Sequence, residues 1–178
     1  MNEINKPRII NTTIEDLPRI HQLFEASIIY QEKNHYPSWR NYDREAVLSD
    51  LKLNNQYKVI IENSVAMVFS IRTEDRIIWR ERENGDALYL HRIVVNPQFK
   101  GQRIFGHVVE WSIAYCRRRE LRFLRMDTWA NNPNLIKYYT GFGFRFVENV
   151  TTPNSEQLPV HNRGITLALL EMDVDGNN

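Results

Sequence analysis

Cysteine is almost missing. Cys116 is the only one among 178 residues, so no internal disulfide can form. An excess of one charge is missing too. The formal net charge is +1, so no strong field points to a nucleic-acid partner. No apolar run approaches the roughly 20 residues that a membrane-spanning helix needs. The opening MNEINKPRII lacks the apolar stretch of a secretion signal, so the Asn-x-Thr patterns at Asn11 and Asn149 read as chance matches. No internal repeat, low-complexity stretch or domain linker interrupts the chain. These absences lead to an expectation of one cytoplasmic, reduced domain over residues 1–178, with no membrane and no nucleic-acid partner. Hydrophobic residues at 42% and charged residues at 25% suit a globular core.

The pattern reads as mixed α/β. A short strand, Arg8 to Asn11, precedes a helix that Thr12 or Thr13 can cap, with Pro18 near its start and Leu17, Ile20, Phe24 and Ile28 at helical spacing. The segment from Tyr30 to Tyr42 holds four tyrosines and tryptophans around Pro37. It reads as a tucked loop, as one wall of a substrate pocket, or as both. Asp43 caps a second helix through Leu51. Tyr57 to Glu62 and Val65 to Arg72 read as strands joined at Asn63-Ser64, and Arg76 to Trp79 reads as a third short strand. Glu81 to Asp86 is a charged turn. A strand follows from Ala87 to Val95, and later ones are expected at Leu121 to Thr128, Gly141 to Val147 and Ile165 to Val174. A short helix spans Asn132 to Thr140, and a polar loop runs from Glu148 to Gly164.

The stretch VVNPQFKGQRIFG, Val94 to Gly106, organises the rest. Asn96 and Pro97 stop a strand, since proline offers no N–H to a ladder. Gly101 permits a left-handed turn. Phe105, Val108, Val109, Ser112, Ile113 and Cys116 then mark one apolar helix face. Cys116 on that face reads as a small core residue. The run Arg117-Arg118-Arg119 suits a solvated helix C-terminus. The turn from Gln98 to Arg103 therefore sits at a helix N-terminus, where unpaired amides and a positive dipole can hold phosphate, with Lys100 and Arg103 beside it. By itself this is equally an ordinary basic connection.

The turn and the segment NNPNLIKYYTGFGF together resemble the GNAT superfamily of N-acetyltransferases. Val95-Asn96-Pro97 matches the family's strand end, and Lys100-Gly101 falls where the family often has Arg-Gly. Asn132, Tyr139, Gly143 and Phe144 match the family's Asn-x-x-Ala-x-x-Leu-Tyr-x-x-x-Gly-Phe, with Leu135 and Tyr138 at its alanine and leucine positions. Arg103 stands where the family has glycine, and Phe105 where it has glycine or alanine. Phe105 either joins the core with its helix face or crowds the turn.

The resemblance implies a GNAT-like fold of the α/β (mixed α+β) class. Its central mixed, mostly antiparallel sheet has about six to seven strands flanked by helices, with a V-shaped splay between the strands near 87–95 and 121–128. It implies acetyl-CoA as co-substrate and a small-molecule or peptide amine as acceptor. No metal is expected, and homodimers are common in the family. Ile93 and Val95 are the expected backbone partners of pantetheine, with Val94 between them on the same strand. Amides of Gly101, Gln102, Arg103, Ile104, Phe105 and Gly106, beside Lys100, are the expected pyrophosphate cradle. Asn132 is expected on the pantetheine arm, and Tyr139 as the acid that protonates the leaving thiolate. A core tyrosine is the alternative reading of Tyr139, and Tyr138 reads as structural. The family transfers no general base. His91, whose ordinary pKa is near neutrality, is the chemical choice, ahead of Asp127 and Glu25. A non-catalytic acyl-CoA sensor and a generic phosphate-binding domain are the competing readings.

Overall fold

The computed structural model describes residues 7–158 and 160–176. The first six residues, part of the stretch read for a secretion signal, lie outside it. Seven strands form one sheet in the order β1-β2-β3-β4-β5-β7-β6. They are β1 (Arg8–Asn11), β2 (Gln56–Ile61), β3 (Ser64–Arg72), β4 (Ala87–Val95), β5 (Phe123–Trp129), β6 (Arg145–Thr151) and β7 (Thr166–Asp173). The helices are α1 (Leu17–Lys33), α2 (Arg44–Lys52), α3 (Arg76–Trp79), α4 (Phe105–Arg118) and α5 (Pro133–Thr140). This is the expected mixed, mostly antiparallel sheet. The chain divides into two compact units.

The first unit holds the described residues up to Ser70, together with Arg92–Val108. β1, β2 and β3 form an antiparallel meander. The expected hairpin is present, but its two turn residues are Glu62 and Asn63, with φ of 48° and 64°. Two left-handed residues make the turn whose twist matches the flanking strands. Asp43 caps α2 by accepting from the Ala46 amide at 2.9 Å. α1 extends to Lys33, so Tyr30 lies in the last turn of a helix instead of opening a loop. Ile20, Leu23 and Phe24 of α1 pack with Val47 and Leu51 of α2, Val68 of β3 and Val94 of β4. Trp39 and Tyr42 cover this core from the aromatic loop, and Tyr42 stacks on Phe24 at 4.6 Å between centroids.

The second unit holds Ile71–His91 and the described residues from Val109 onward. β5 pairs antiparallel with β7, and β7 with β6. Ile78 and Trp79 pack with Tyr89, Val150, Leu167 and Leu169. The expected strand at Arg76 to Trp79 is instead one helical turn. β-branched residues favour strands only where a pleated surface receives them. Here burial of both Ile78 and Trp79 against one core selects the turn, and Arg80 ends it at φ 50°. The strand expected from Gly141 begins later, at Arg145. Gly143 at φ 98° makes the turn that follows α5, and β6 then runs to Thr151 through residues read as loop. β6 lies at the end of the sheet order and buries only Val150, so its polar composition hides it. The final strand lies at Thr166–Asp173, inside its expected range.

β4 and β5 are parallel from Ala87↔Phe123 to Leu90↔Met126. β5 stays paired with β7 on to Trp129, but the ladder with β4 within this unit stops at Met126. His91 and Asp127 are the next residues on the two strands.

Candidate functional site

In the first unit β4 is distorted before it ends. Arg92 lies at φ 49°, a left-handed residue inside a strand, which is how a bulge is built. Its guanidinium donates to the fully buried Asp50 carboxylate at 2.6 Å, tying the bend to α2. Beyond it Val94 is buried, whereas Ile93 and Val95 remain partly exposed. Asn96 ends the strand through three bonds. Its backbone amide donates to the Ala66 carbonyl, its side-chain amide donates to the Val65 carbonyl, and its side-chain oxygen accepts from the Gln98 amide.

The turn then rises through Gln98 and Lys100, whose ammonium lies 3.5 Å from the centre of the Tyr30 ring. Gly101 sits at φ 84°, and a Cβ built there meets nothing within 4 Å. Gln102 follows. Arg103 lies at φ 53°, the left-handed region where an L-residue costs about 1–2 kcal/mol. This explains why a glycine is favoured at that motif position, since glycine enters the region freely. Ile104 and Phe105 are buried at 3% and 0% exposure, so the Phe105 ring lies in the core. The Gly106 amide donates to the Arg103 carbonyl at 3.0 Å. The turn is thus built by backbone conformation at the N-terminus of α4. Glu25 is in this unit as well. It forms an exposed pair with Arg44 at 2.9 Å.

In the second unit a different arrangement is built from side chains. Asp75 precedes α3, His91 lies on β4 and Asp127 on β5. One ligating atom from each lies within 4.8 Å of the other two. His91 Nε2 is 3.6 Å from Asp75 Oδ2. That Asp75 oxygen is buried and has no hydrogen-bond partner. Burial pushes the Asp75 carboxyl up to about 6 against the pull of the Ile78 amide, with the Glu83 charge adding to the rise and Arg72 opposing it. Burial also pushes the Asp127 carboxyl up to about 7, helped by the Asp75 charge. Desolvation is the larger effect in both cases, as it is for any carboxylate taken from water.

Tyr139, on α5, is 8% exposed. Burial raises its hydroxyl above the usual tyrosine range, and the Tyr138 and Asp127 charges raise it further. Tyr138 is 39% exposed and meets the Tyr139 and Phe142 rings edge-on. Asn132 caps α5 by accepting from the Leu135 amide at 3.1 Å. This leaves its side-chain NH2 uncommitted among the described residues.

Asp75 escapes sequence reasoning. It sits in the polar run Arg72-Thr73-Glu74-Asp75-Arg76, which looks like a solvated turn, and only tertiary packing brings it to His91. Two carboxylates and an imidazole are also a donor set that a divalent ion accepts. Cys116 is inert by contrast. Its thiol is buried and pushed up to about 12 by desolvation, far from the thiolate that reactivity needs. Among the described residues no helix is long and apolar enough to cross a membrane.

The model of the acetyltransferase (GNAT) family matches residues 18–144, a span that includes the turn, the trio and α5. The chain is similar to the uncharacterized N-acetyltransferase YesJ of Bacillus subtilis (strain 168), at 28% identity over 85 residues. That alignment covers 47% of this chain and 47% of the relative, so the chain spans about half the length of the curated relative it matches. Among solved structures, a GNAT-family acetyltransferase from Listeria monocytogenes 4b F2365 superposes with a TM-score of 0.74 at 19% identity, over 94% of both chains. The structure of yncA from Salmonella typhimurium with its cofactor acetyl-CoA gives a TM-score of 0.65 at 16% identity, covering 97% of this chain and 96% of that one. These two likenesses concern the fold.

Proposed function

Because the chain belongs to the GNAT acetyltransferase family, we propose that it moves an acetyl group from acetyl-CoA to a primary amine of a small molecule or peptide. The amine attacks directly, with no acyl-enzyme, and the cytoplasm is the setting. The observation that carries this reading is the turn itself. Left-handed backbone at Gly101 and Arg103 opens α4 straight after a bulged strand, inside the matched span. Phosphate oxygens are the natural ligand of such a helix start. Lys100 and Arg103 add positive charge, and the buried Phe105 ring leaves the turn uncrowded. Ile93 and Val95 offer strand-edge groups to the pantetheine arm, and Asn132 offers its side-chain NH2. Acetyl-CoA supplies the reactive thioester carbonyl.

The residues of this chain then handle protons. An alkylammonium, with a pKa of roughly 10.4, cannot attack until it loses one. His91 accepts that proton, either directly or through a water. The nitrogen lone pair forms the new C–N bond, and the C–S bond breaks with its electrons going to sulfur. Tyr139 donates its hydroxyl proton to that sulfur and regains one as the product nitrogen sheds its second hydrogen. The raised proton affinity of Tyr139 keeps it a neutral acid at physiological pH.

The test is calorimetric titration with acetyl-CoA, followed by a screen of amines for thiol release. Saturable binding with amine-dependent thiol release is the expected result. Binding without transfer would make the chain a sensor, and no binding at millimolar acetyl-CoA would end the reading.

A further inference from the structure

Asp75, His91 and Asp127 come from three separate stretches, yet one ligating atom from each lies within 4.8 Å of the other two. Each is carried by a fixed piece of backbone. His91 and Asp127 follow directly on Leu90 and Met126, which face each other across the β4–β5 pair. Asp75 is tied down twice. Its amide donates to Glu83 Oε2 at 2.7 Å, and its carbonyl accepts from the Trp79 amide at 2.9 Å. Its carboxylate is not satisfied in the same way. Asp75 Oδ2 is buried, has no hydrogen-bond partner and stands 3.6 Å from His91 Nε2. A buried carboxylate oxygen without a donor is costly, and a cation relieves that cost.

The spacing and the donor types say which cation fits. In a tetrahedral site with bonds of about 2.0–2.2 Å, ligand atoms stand roughly 3.3–3.6 Å apart. Asp75 Oδ2 and His91 Nε2 already stand at that spacing. The third donor lies no farther than 4.8 Å from either. Carboxylates repel one another when no cation lies between them, so the Asp127 group closes on an ion that does. Calcium takes about six to eight oxygen ligands, and magnesium also prefers oxygen. One imidazole nitrogen with two carboxylates suits zinc and its first-row neighbours. Glu83 acts on Asp75 as a negative charge and Arg72 as a positive one, so the surroundings do not cancel the charge of the two carboxylates.

We propose that Asp75 Oδ2, His91 Nε2 and a carboxylate oxygen of Asp127 form a binding site for a divalent transition-metal ion of the zinc class, with water completing its coordination. The ion has no part in acetyl transfer. It holds the Nε2 lone pair that would otherwise take a proton, and so it switches transfer off. That inhibition rests on the acetyltransferase reading, whereas the site does not.

Zinc chloride is titrated by calorimetry into the full chain after a chelator has stripped it. One equivalent binds with saturation, and magnesium chloride does not compete. Asp75→Asn, His91→Gln and Asp127→Asn each weaken zinc binding at least about tenfold, while far-UV circular dichroism reports an intact fold. Cobalt on the unaltered chain gives visible absorption bands distinct from those of the aqua ion, a readout that needs no variant. Absence of saturable zinc binding, cobalt bands like those of the aqua ion, or equal zinc affinity in the folded variants overturns the site. Equal affinity would place the ion on other histidines. With an amine that the screen finds active, saturating zinc lowers the yield of acetylated amine at least about tenfold, and a chelator restores it. An undiminished yield overturns the inhibition. A metal-free chain that acetylates no amine removes the acetyltransferase reading and the inhibition together, and the calorimetry still decides the site.

Discussion

The turn after β4 and the trio around His91 are built in opposite ways. The turn is a piece of continuous chain. Its shape comes from backbone angles at Gly101 and Arg103, and its side chains either leave for the core, as Ile104 and Phe105 do, or lie along the surface, as Lys100 does against Tyr30. The trio has no continuous chain at all. Asp75 and Asp127 are far apart in sequence and meet at His91. A site made of backbone tolerates many side chains and few changes of conformation. A site made of side chains is the reverse, since each carboxylate matters and the strands beneath it tolerate substitution.

The largest expected effect sharpens the side-chain half. Tyr139→Phe removes one hydroxyl and should lower kcat by roughly 100-fold or more, the usual scale of a lost general acid. The acetyl-CoA Kd should move less than twofold by calorimetry. An unchanged kcat would return Tyr139 to the core.

Gly101→Asp attacks the backbone half. It forces an L-residue to φ 84° and sets a carboxylate where phosphate is expected. Strain of about 1–2 kcal/mol lowers stability, and repulsion of about 0.3–1 kcal/mol predicts a loss of acetyl-CoA affinity of roughly 2- to 5-fold. Equal affinity would move the pyrophosphate elsewhere.

A pH series separates the two halves without touching the turn. Asp75 and Asp127 titrate higher in the folded chain, at about 6 and about 7, than in the unfolded chain, near 4. Between those values the folded state holds more protons, so stability falls as pH rises from about 4 to about 7. Denaturant midpoints at pH 5 and pH 7.5 should show this decline, and Asp127→Asn should flatten it. The same slope in Asp127→Asn would assign the decline to other groups.

The smallest effect is at Arg103. Arg103→Gly relieves left-handed strain of about 1–2 kcal/mol but loses roughly 0.5–1 kcal/mol to the freer unfolded chain. A net gain of about 0.5–1 kcal/mol should raise Tm by a few degrees. If the guanidinium serves phosphate, acetyl-CoA affinity falls at the same time. A rise in both would leave Arg103 no part in binding.

Much of the fold was legible. The apolar spacing of Leu17, Ile20 and Phe24 marked α1, and Asp43 announced α2, because helix periodicity and caps are local properties. The misreadings share one cause. Arg76 to Trp79 has strand composition and β6 has loop composition, and in both cases the partner across the core or sheet decided the outcome. Arg103 shows an intermediate case. Its sequence position marked it as unusual, but only the φ angle explained why a glycine belongs there.

By itself, then, the chain's order of residues determined the strand–turn–helix at Val94 to Gly106, the segment from Asn132 to Phe144, and through them the family. Each lies within a dozen or so consecutive residues, where steric limits and hydrogen-bonding rules act directly on neighbours. Only the tertiary structure decided that Asp75 joins His91 and Asp127, that burial raises both carboxyls, and that it leaves Asp75 Oδ2 without a donor. Desolvation and convergence are properties of packed surfaces, and no spacing along the chain encodes which distant side chains will share one.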